Sequence, residues 1–141
     1  MINPQILSAL RAREVARFVE ANPKSKSYFE NSNCWFQRVP FHWMLDWPSP
    51  FPIVAASAQG ATLTSLDGQA FDDFCLGDTA SMFGHSPPPL AAALAEQAAQ
   101  GLSYMLPTTK GAELGDMLAA MFGLPHWQVT TTASEANRAV I

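Results

Sequence analysis

The fold is indicated most directly by the stretch Trp127-Gln128-Val129-Thr130-Thr131-Thr132-Ala133-Ser134-Glu135-Ala136. Residues 127–131 predict a short strand, and residues 132–136 predict the turn into a helix that continues to the last residue. Small residues at such a turn leave backbone N–H groups accessible, and the helix N-terminus carries partial positive charge. The stretch therefore favours an anion site suited to a phosphate, with Thr132 and Ser134 adding hydroxyl donors. Ordinary helix capping is the alternative, because Ser and Thr favour helix starts in general.

Three further helices are predicted from capping residues and apolar spacing. They are residues 4–21 after Asn3-Pro4, stopped by Asn22-Pro23; a helix opening at Pro87 after a Ser86 cap, with Gly101 as C′ residue; and residues 109–122, ended by Gly123. The last predicted helix, which begins near residue 136, is short. Because two helical turns of a βα unit cannot bury an apolar face alone, we expect the chain to be the front part of a larger protein.

A β-hairpin is predicted between the first and second of these helices. Residues 61–66 alternate in polarity, Asp67-Gly68 is typical of a type I′ turn, and residues 69–71 resume the strand. Asp73 follows this strand, and we expect its side chain to face solvent because neighbouring strand residues point in opposite directions.

The segment 28–52 is rich in aromatic residues and proline and has no clear period, which predicts irregular structure. Its aromatic residues are Tyr28, Phe29, Trp35, Phe36, Phe41, Trp43, Trp47 and Phe51. Core filling is one interpretation, because aromatic side chains dominate buried contacts. A subunit interface or an active-site wall is the other.

Composition narrows the function classes. Only 14% of the residues are charged, against about 25% in an average soluble domain, and 48% are hydrophobic. The formal net charge of −4 comes without a basic stripe, so a nucleic-acid surface is not expected. We see neither a signal peptide nor an apolar run long enough for a membrane span, and we expect a soluble cytoplasmic protein.

Cys34 and Cys75 fit no metal or redox motif, and the three histidines lack metal-ligand spacing. We interpret His85 as a hydrogen-bonded structural residue rather than a base.

Four segments resemble class III pyridoxal-phosphate-dependent aminotransferases, in the same order. They are the hairpin Gly60-Ala61-x-Leu63-x-x-Leu66-Asp67-Gly68-x-x-Phe71-x-Asp73; Gly84-His85-Ser86-Pro87, similar to the family's Gly-His-x-x-Pro helix start; Pro107-Thr108, similar to its Pro-Thr segment; and Thr132-Ala133-Ser134-Glu135-Ala136, similar to its Ser-Gly-Thr-Glu-Ala phosphate cup. Together they favour the phosphate site over ordinary capping. The branch most resembled is the glutamate-1-semialdehyde aminomutase-like group.

The resemblance implies an α/β protein of fold type I and pyridoxal phosphate as cofactor. The chain would hold only the N-terminal part: a helix, a small hairpin and the start of a large, mostly parallel sheet domain. Residues 1–75 would form the N-terminal segment, and residues 76–141 the beginning of the cofactor-binding domain. The full-length protein would be a homodimer acting on a small-molecule amino donor and a keto acceptor.

The resemblance also implies roles for particular residues. The side chain of Thr132, the backbone N–H of Ala133 and Ser134 would hold the cofactor phosphate; Ala133 replaces the usual glycine, which is tolerable at negative φ. The loop with Gly77, Asp78 and Thr79 would line the substrate side. Aminomutases carry a tryptophan about where Asp78 stands, so Asp78 favours a substrate with a cationic group or a water-mediated contact. The lysine that forms the Schiff base is expected beyond residue 141, and no metal site is expected.

Three alternatives to an aminotransferase remain open at this point. One is an aminomutase or ammonia-lyase on the same scaffold. Another is a non-catalytic fragment that keeps only the dimerisation surface. The third is a general phosphate-binding α/β domain.

Overall fold

The computed structural model describes residues 3–141, which divide into two compact units. The first comprises the described residues up to Ala95, and the second is Glu96–Ile141. Helix α1 (Pro4–Ala21) opens the first unit at the predicted residues. Asn3 Oδ1 accepts a hydrogen bond from the Gln5 N–H at 2.9 Å, which makes Asn3 the predicted N-cap.

A second helix, α2 (Pro23–Asn31), follows directly, where the sequence reading placed only the end of α1 and the start of an irregular segment. Asn22-Pro23 therefore opens a helix as well as ending one, in keeping with the preference of proline for the first helical position. The side chain of Asn22 does not cap α2. Instead, the Asp67 carboxylate accepts from the N–H groups of Lys24 (2.7 Å) and Ser25 (3.1 Å) and from Ser25 Oγ (2.6 Å).

The aromatic segment beyond α2 is irregular, as predicted, apart from two short 3₁₀ helices, Phe36–Arg38 and His42–Leu45. Phe51 is only 4% exposed and packs on the ring of Phe18 in α1, with 5.1 Å between ring centroids. Core filling thus accounts for Phe51. It does not account for the other large apolar side chains of the segment that are exposed, namely Tyr28, Trp35, Phe36, Phe41, Trp43 and Trp47.

Three antiparallel strands form a small meander in the order β1 (Ala55–Gln59), β2 (Thr62–Ser65) and β3 (Ala70–Asp72). The predicted hairpin corresponds to β2 and β3 and is confirmed, with Leu63 opposite Phe71.

The prediction of a type I′ turn in this hairpin is wrong. A type I′ turn needs positive φ at both central residues, whereas Gly68 (φ +83°) is the only left-handed residue between β2 and β3. The Gly68 N–H donates to Ser65 O and the Ser65 N–H to Gln69 O, which defines a three-residue loop with glycine in its last position. Asp67 keeps a negative φ there, and its carboxylate reaches α2.

Helix α3 (Pro88–Gln100) begins one residue after the predicted Pro87, and Ser86 does not cap it. Ser86 is left-handed (φ +50°), and its hydroxyl donates to Ala58 O in β1 at 3.2 Å, whereas a capping oxygen accepts from the helix. The carbonyl of Pro87 accepts the first helical hydrogen bond, from Ala91. Gly101 (φ +113°) follows the helix, as predicted.

The second unit contains α4 (Thr109–Phe122) and α5 (Ala133–Val140). The bounds of α4 and its left-handed Gly123 agree with the prediction. The strand predicted over residues 127–131 is wrong, because a strand exists only through pairing with a neighbour and these residues are unpaired within the described part of the chain. Trp127 there packs on Phe122 and donates its indole N–H to Leu124 O.

No helix of residues 3–141 combines the length and the apolar character that a membrane span needs. The same residues hold no group of three or more His, Cys, Asp or Glu side chains placed to bind a metal ion. Cys34 and Cys75 are both free and exposed.

Candidate functional site

The predicted phosphate site lies at the N-terminus of α5, where three hydrogen bonds organise the first turn. Thr132 is the N-cap, and its Oγ1 accepts from the Glu135 N–H at 3.1 Å. The Glu135 carboxylate folds back and accepts from the N–H (3.1 Å) and the hydroxyl of Thr131. These hydrogen bonds from the hydroxyl and the N–H of Thr131 lower the pKa of Glu135. The arrangement is a capping box displaced by one residue.

The cap leaves a set of donors open. Within residues 3–141, the backbone N–H groups of Ala133 and Ser134 and the Ser134 hydroxyl have no acceptor. These are the first and second helical positions, whose N–H groups lack intrahelical partners in any α-helix. The Thr132 hydroxyl accepts from Glu135 and retains its own proton for donation. Capping and anion binding, the two interpretations of this stretch, are therefore compatible, and the residues present fit a phosphate group.

Ala133 satisfies the condition that its replacement of glycine requires. It is absent from the left-handed residues of the described chain and begins a regular helix. A methyl side chain is accordingly accommodated without backbone strain.

The predicted substrate loop belongs to the first unit and has an unusual backbone. Gly77 (φ +62°), Asp78 (φ +53°) and Thr79 (φ +75°) are left-handed, as is Leu76 before them (φ +49°). The Asp78 side chain is exposed and accepts no hydrogen bond from any described residue. Its role towards a cationic group of the substrate stays a prediction.

Sequence reasoning missed the role of Asp73, which is not solvated. The strand ends at Asp72, so alternation along β3 no longer determines where Asp73 points. Its Oδ2 lies 2.7 Å from His85 Nε2, and the exposed fractions of the two side chains are 13% for Asp73 and 19% for His85. Its Oδ1 accepts from the N–H groups of Cys75 and Leu76. Hydrogen bonds from His85, Leu76 and Cys75 hold the pKa of Asp73 below its usual value.

His85 is a hydrogen-bonded structural residue, as interpreted from the sequence. Because an ionised carboxylate only accepts, Nε2 carries the proton in this contact. The backbone of His85 also exchanges two hydrogen bonds with Gly60, at 2.8 and 2.9 Å. Asp73 and His85 both lie in segments that carry the family resemblance. Their positions in those motifs were the signal that could have revealed this contact.

Comparison with known proteins supports the resemblance, although no family model matches the chain. A glutamate-1-semialdehyde 2,1-aminomutase from Methanosarcina acetivorans is 30% identical over 93 residues, which cover 65% of this chain and 22% of that protein. The β-phenylalanine transaminase of Variovorax paradoxus is 29% identical over 122 residues, covering 86% of this chain and 28% of the relative. The chain thus spans about a quarter of the length of these curated relatives.

Solved structures extend the similarity to almost the whole chain. A glutamate-1-semialdehyde aminomutase from Pseudomonas aeruginosa PAO1, also solved in complex with PMP, is 44% identical with a TM-score of 0.86 and covers 99% of this chain and 31% of its own. A transaminase with PLP bound is 25% identical with a TM-score of 0.74, covering 84% and 28%. The resemblance to class III pyridoxal-phosphate-dependent aminotransferases and the predicted fold class are confirmed.

Proposed function

We propose that this chain supplies the phosphate site and a substrate loop of a pyridoxal-phosphate-dependent class III aminotransferase that acts on an amino acid or a related amine. The observation that carries the proposal is the pair of open N–H groups and the open hydroxyl at the start of α5. They occur within Thr132–Ala136, the segment that resembles the family's phosphate cup. The predicted cofactor is confirmed by neighbours solved with PLP or PMP.

Each residue of the α5 N-terminus has a defined part in this proposal. The N–H groups of Ala133 and Ser134 and the Ser134 hydroxyl donate to phosphate oxygens, and the helix dipole adds to the attraction. Thr132 keeps the turn in shape by accepting from Glu135 and has one proton left to donate. Pyridoxal phosphate, when bound, supplies an electron sink for the bond broken at the substrate's α carbon. The chain's own contribution is therefore to hold and orient the group.

A second candidate is amine transfer within one molecule, as the name aminomutase describes. The 44% identity to an aminomutase over 99% of this chain favours it. Asp78 favours the aminotransferase, because the aminomutases that this chain resembles carry a tryptophan at about that position. Incubation of the full-length protein with glutamate-1-semialdehyde alone, and separately with β-phenylalanine and a keto acid, distinguishes the two candidates.

The phosphate site is tested by Ser134→Ala in the full-length protein. Loss of one charge-assisted hydrogen bond is expected to weaken pyridoxal phosphate binding by about 1–3 kcal/mol. Binding is followed by the visible absorbance of the bound cofactor. Ser8→Ala, a change of the same kind on an exposed face of α1, is the matched control and is expected to bind as the unchanged protein does.

A second ligand isolates the phosphate itself. Pyridoxal, which lacks the phosphate, is expected to bind equally to the Ser134→Ala variant and to the unchanged protein. An equal loss of affinity for both ligands, or no loss for either, contradicts the assignment of Ser134. The homodimer, the cytoplasmic location and the boundary at residue 75 remain predictions.

A further inference from the structure

The loop between β3 and α3 has a strained backbone. Four consecutive residues, Leu76 to Thr79, are left-handed, and three of them are not glycine. L-residues avoid this region because the β-carbon crowds the carbonyl oxygen, and a β-branched residue such as Thr79 is the least tolerant. Most of the loop is also exposed, with Phe74 and Phe83 almost completely accessible. Backbone hydrogen bonds inside the loop close its turns, among them Ser81 N–H to Leu76 O (2.9 Å) and Gly84 N–H to Ser81 O (2.8 Å). Contacts at the two ends of the loop hold these turns in place against the strain.

Asp73 and His85 provide these contacts at the two ends of the loop. One carboxylate oxygen of Asp73 accepts from the N–H groups of Cys75 (2.9 Å) and Leu76 (3.0 Å), which directs the chain into the left-handed run. The other oxygen binds His85 Nε2 at 2.7 Å. One side chain thus ties the first residues of the loop to its last.

The far end of the loop is fixed to the sheet as well. His85 and Gly60 exchange backbone hydrogen bonds, and Gly84 lies so close that an added β-carbon would be 3.1 Å from the Gly60 α-carbon. Since Gly60 links β1 and β2, the Asp73–His85 pair is anchored on a hydrogen-bonded framework.

We propose that Asp73 and His85 are positioning residues that hold the loop at Gly77, Asp78 and Thr79 in the shape that meets the substrate. The link between the loop and the substrate rests on the proposed function. The restraint of the loop by Asp73 and His85, here called the clamp, rests on the geometry alone. Neither residue needs to touch the substrate. Their effect passes through the backbone of residues 75–79, so removing either one releases the loop and displaces Asp78.

Amide hydrogen exchange of the 141-residue chain tests the clamp without cofactor or substrate. Asp73→Ala and His85→Ala are expected to speed exchange of the Leu76, Ser81 and His85 N–H groups about tenfold. Asp72→Ala removes an exposed carboxylate from the preceding position and is the matched control, with exchange within about twofold of the unchanged chain. His85→Gln retains an N–H donor near Nε2 and is expected to restore most of the protection.

The full-length enzyme tests the link to the substrate. With β-phenylalanine and glutamate-1-semialdehyde as probes, Asp73→Ala is expected to raise KM about tenfold, while the affinity for pyridoxal phosphate and kcat change less than twofold. Asp73→Asn retains an oxygen that accepts from the Cys75 and Leu76 N–H groups. Its KM is expected to lie between the values of the unchanged enzyme and of Asp73→Ala. This milder variant keeps the test informative if Asp73→Ala fails to fold.

Two results overturn the proposal. Exchange in Asp73→Ala that matches Asp72→Ala shows that the pair does not hold the loop, whatever the enzyme does. Faster exchange with an unchanged KM shows that the loop is held but does not position substrate. If the unchanged enzyme neither binds pyridoxal phosphate nor converts either probe, the proposed function fails, and the exchange comparison then decides the clamp by itself.

Discussion

Ser25→Ala tests the contact that joins α2 to the hairpin. Ser25 is completely buried, and its Oγ makes two hydrogen bonds. It donates to the Asp67 carboxylate at 2.6 Å and accepts from the Val54 N–H at 3.2 Å. One side chain therefore connects the first turn of α2, the tip of the β2–β3 loop and the segment leading into β1.

The magnitude follows from these two bonds. Loss of a hydrogen bond to a charged acceptor costs about 1.5–3 kcal/mol, and leaving the partly buried Val54 N–H without an acceptor costs about 1–3 kcal/mol. The combined loss in the free energy of unfolding is expected at about 2.5–6 kcal/mol. That is a large part of the roughly 5–15 kcal/mol by which domains are usually stable.

Urea unfolding of the 141-residue chain, followed by far-UV circular dichroism, measures this loss. Ser27→Ala, at an exposed position of the same helix, is the matched control and is expected within about 0.5 kcal/mol of the unchanged chain. In the double variant with Asp67→Asn, the two effects are expected to be less than additive, because both changes act on the same contact between Ser25 and Asp67. A difference below about 1 kcal/mol between Ser25→Ala and Ser27→Ala would refute the reasoning.

Two further predictions concern the Asp73–His85 region. Hydrogen bonds from His85, Leu76 and Cys75 lower the pKa of Asp73 in the folded chain. The contribution of Asp73 to stability is therefore complete above the pKa of about 4 that an aspartate has in the unfolded chain. It is lost as the pH falls through the lower pKa of the folded chain. Urea unfolding between about pH 5 and pH 2.5 is expected to show this decline in the unchanged chain and a shallower one in Asp73→Asn; an unaltered slope contradicts it. Gly84→Ala is expected to destabilise the chain by about 1–3 kcal/mol, because Gly84 has φ +87° and its new β-carbon would meet the Gly60 backbone at 3.1 Å. Gly115→Ala, inside α4 with open space around it, is expected to stabilise by up to about 1 kcal/mol, and equal thermal midpoints for the two variants would exclude the close-approach argument.

Elements defined by local signals were predictable from the sequence. Helix α1 begins at Asn3-Pro4 and α4 ends at Gly123, because a cap oxygen and a left-handed glycine act within one helical turn. A helix after Thr132 was also predictable, but its start near residue 136 was wrong, because α5 begins at Ala133 directly after the Thr132 cap. The order of four short motifs supported the family resemblance, which the comparisons confirm.

Elements that depend on distant partners were not predictable. Helix α2 lacks a local side-chain cap and takes its capping carboxylate from Asp67, more than forty residues away. Residues 127–131 have the composition of a strand but no paired neighbour in the described chain. Alternation along β3 gave the wrong environment for Asp73, because the strand stops one residue earlier and the carboxylate turns towards His85.

The sequence by itself determined the bounds of α1 and α4, the hairpin, the donors near the start of α5 and the family resemblance. All of these follow from interactions within a few residues or from the order of motifs. The tertiary structure alone decided that Asp67 caps α2 and that Asp73 and His85 close the loop before α3. A hydrogen bond between residues far apart in the chain depends on where the backbone places both partners, and no local pattern encodes that placement.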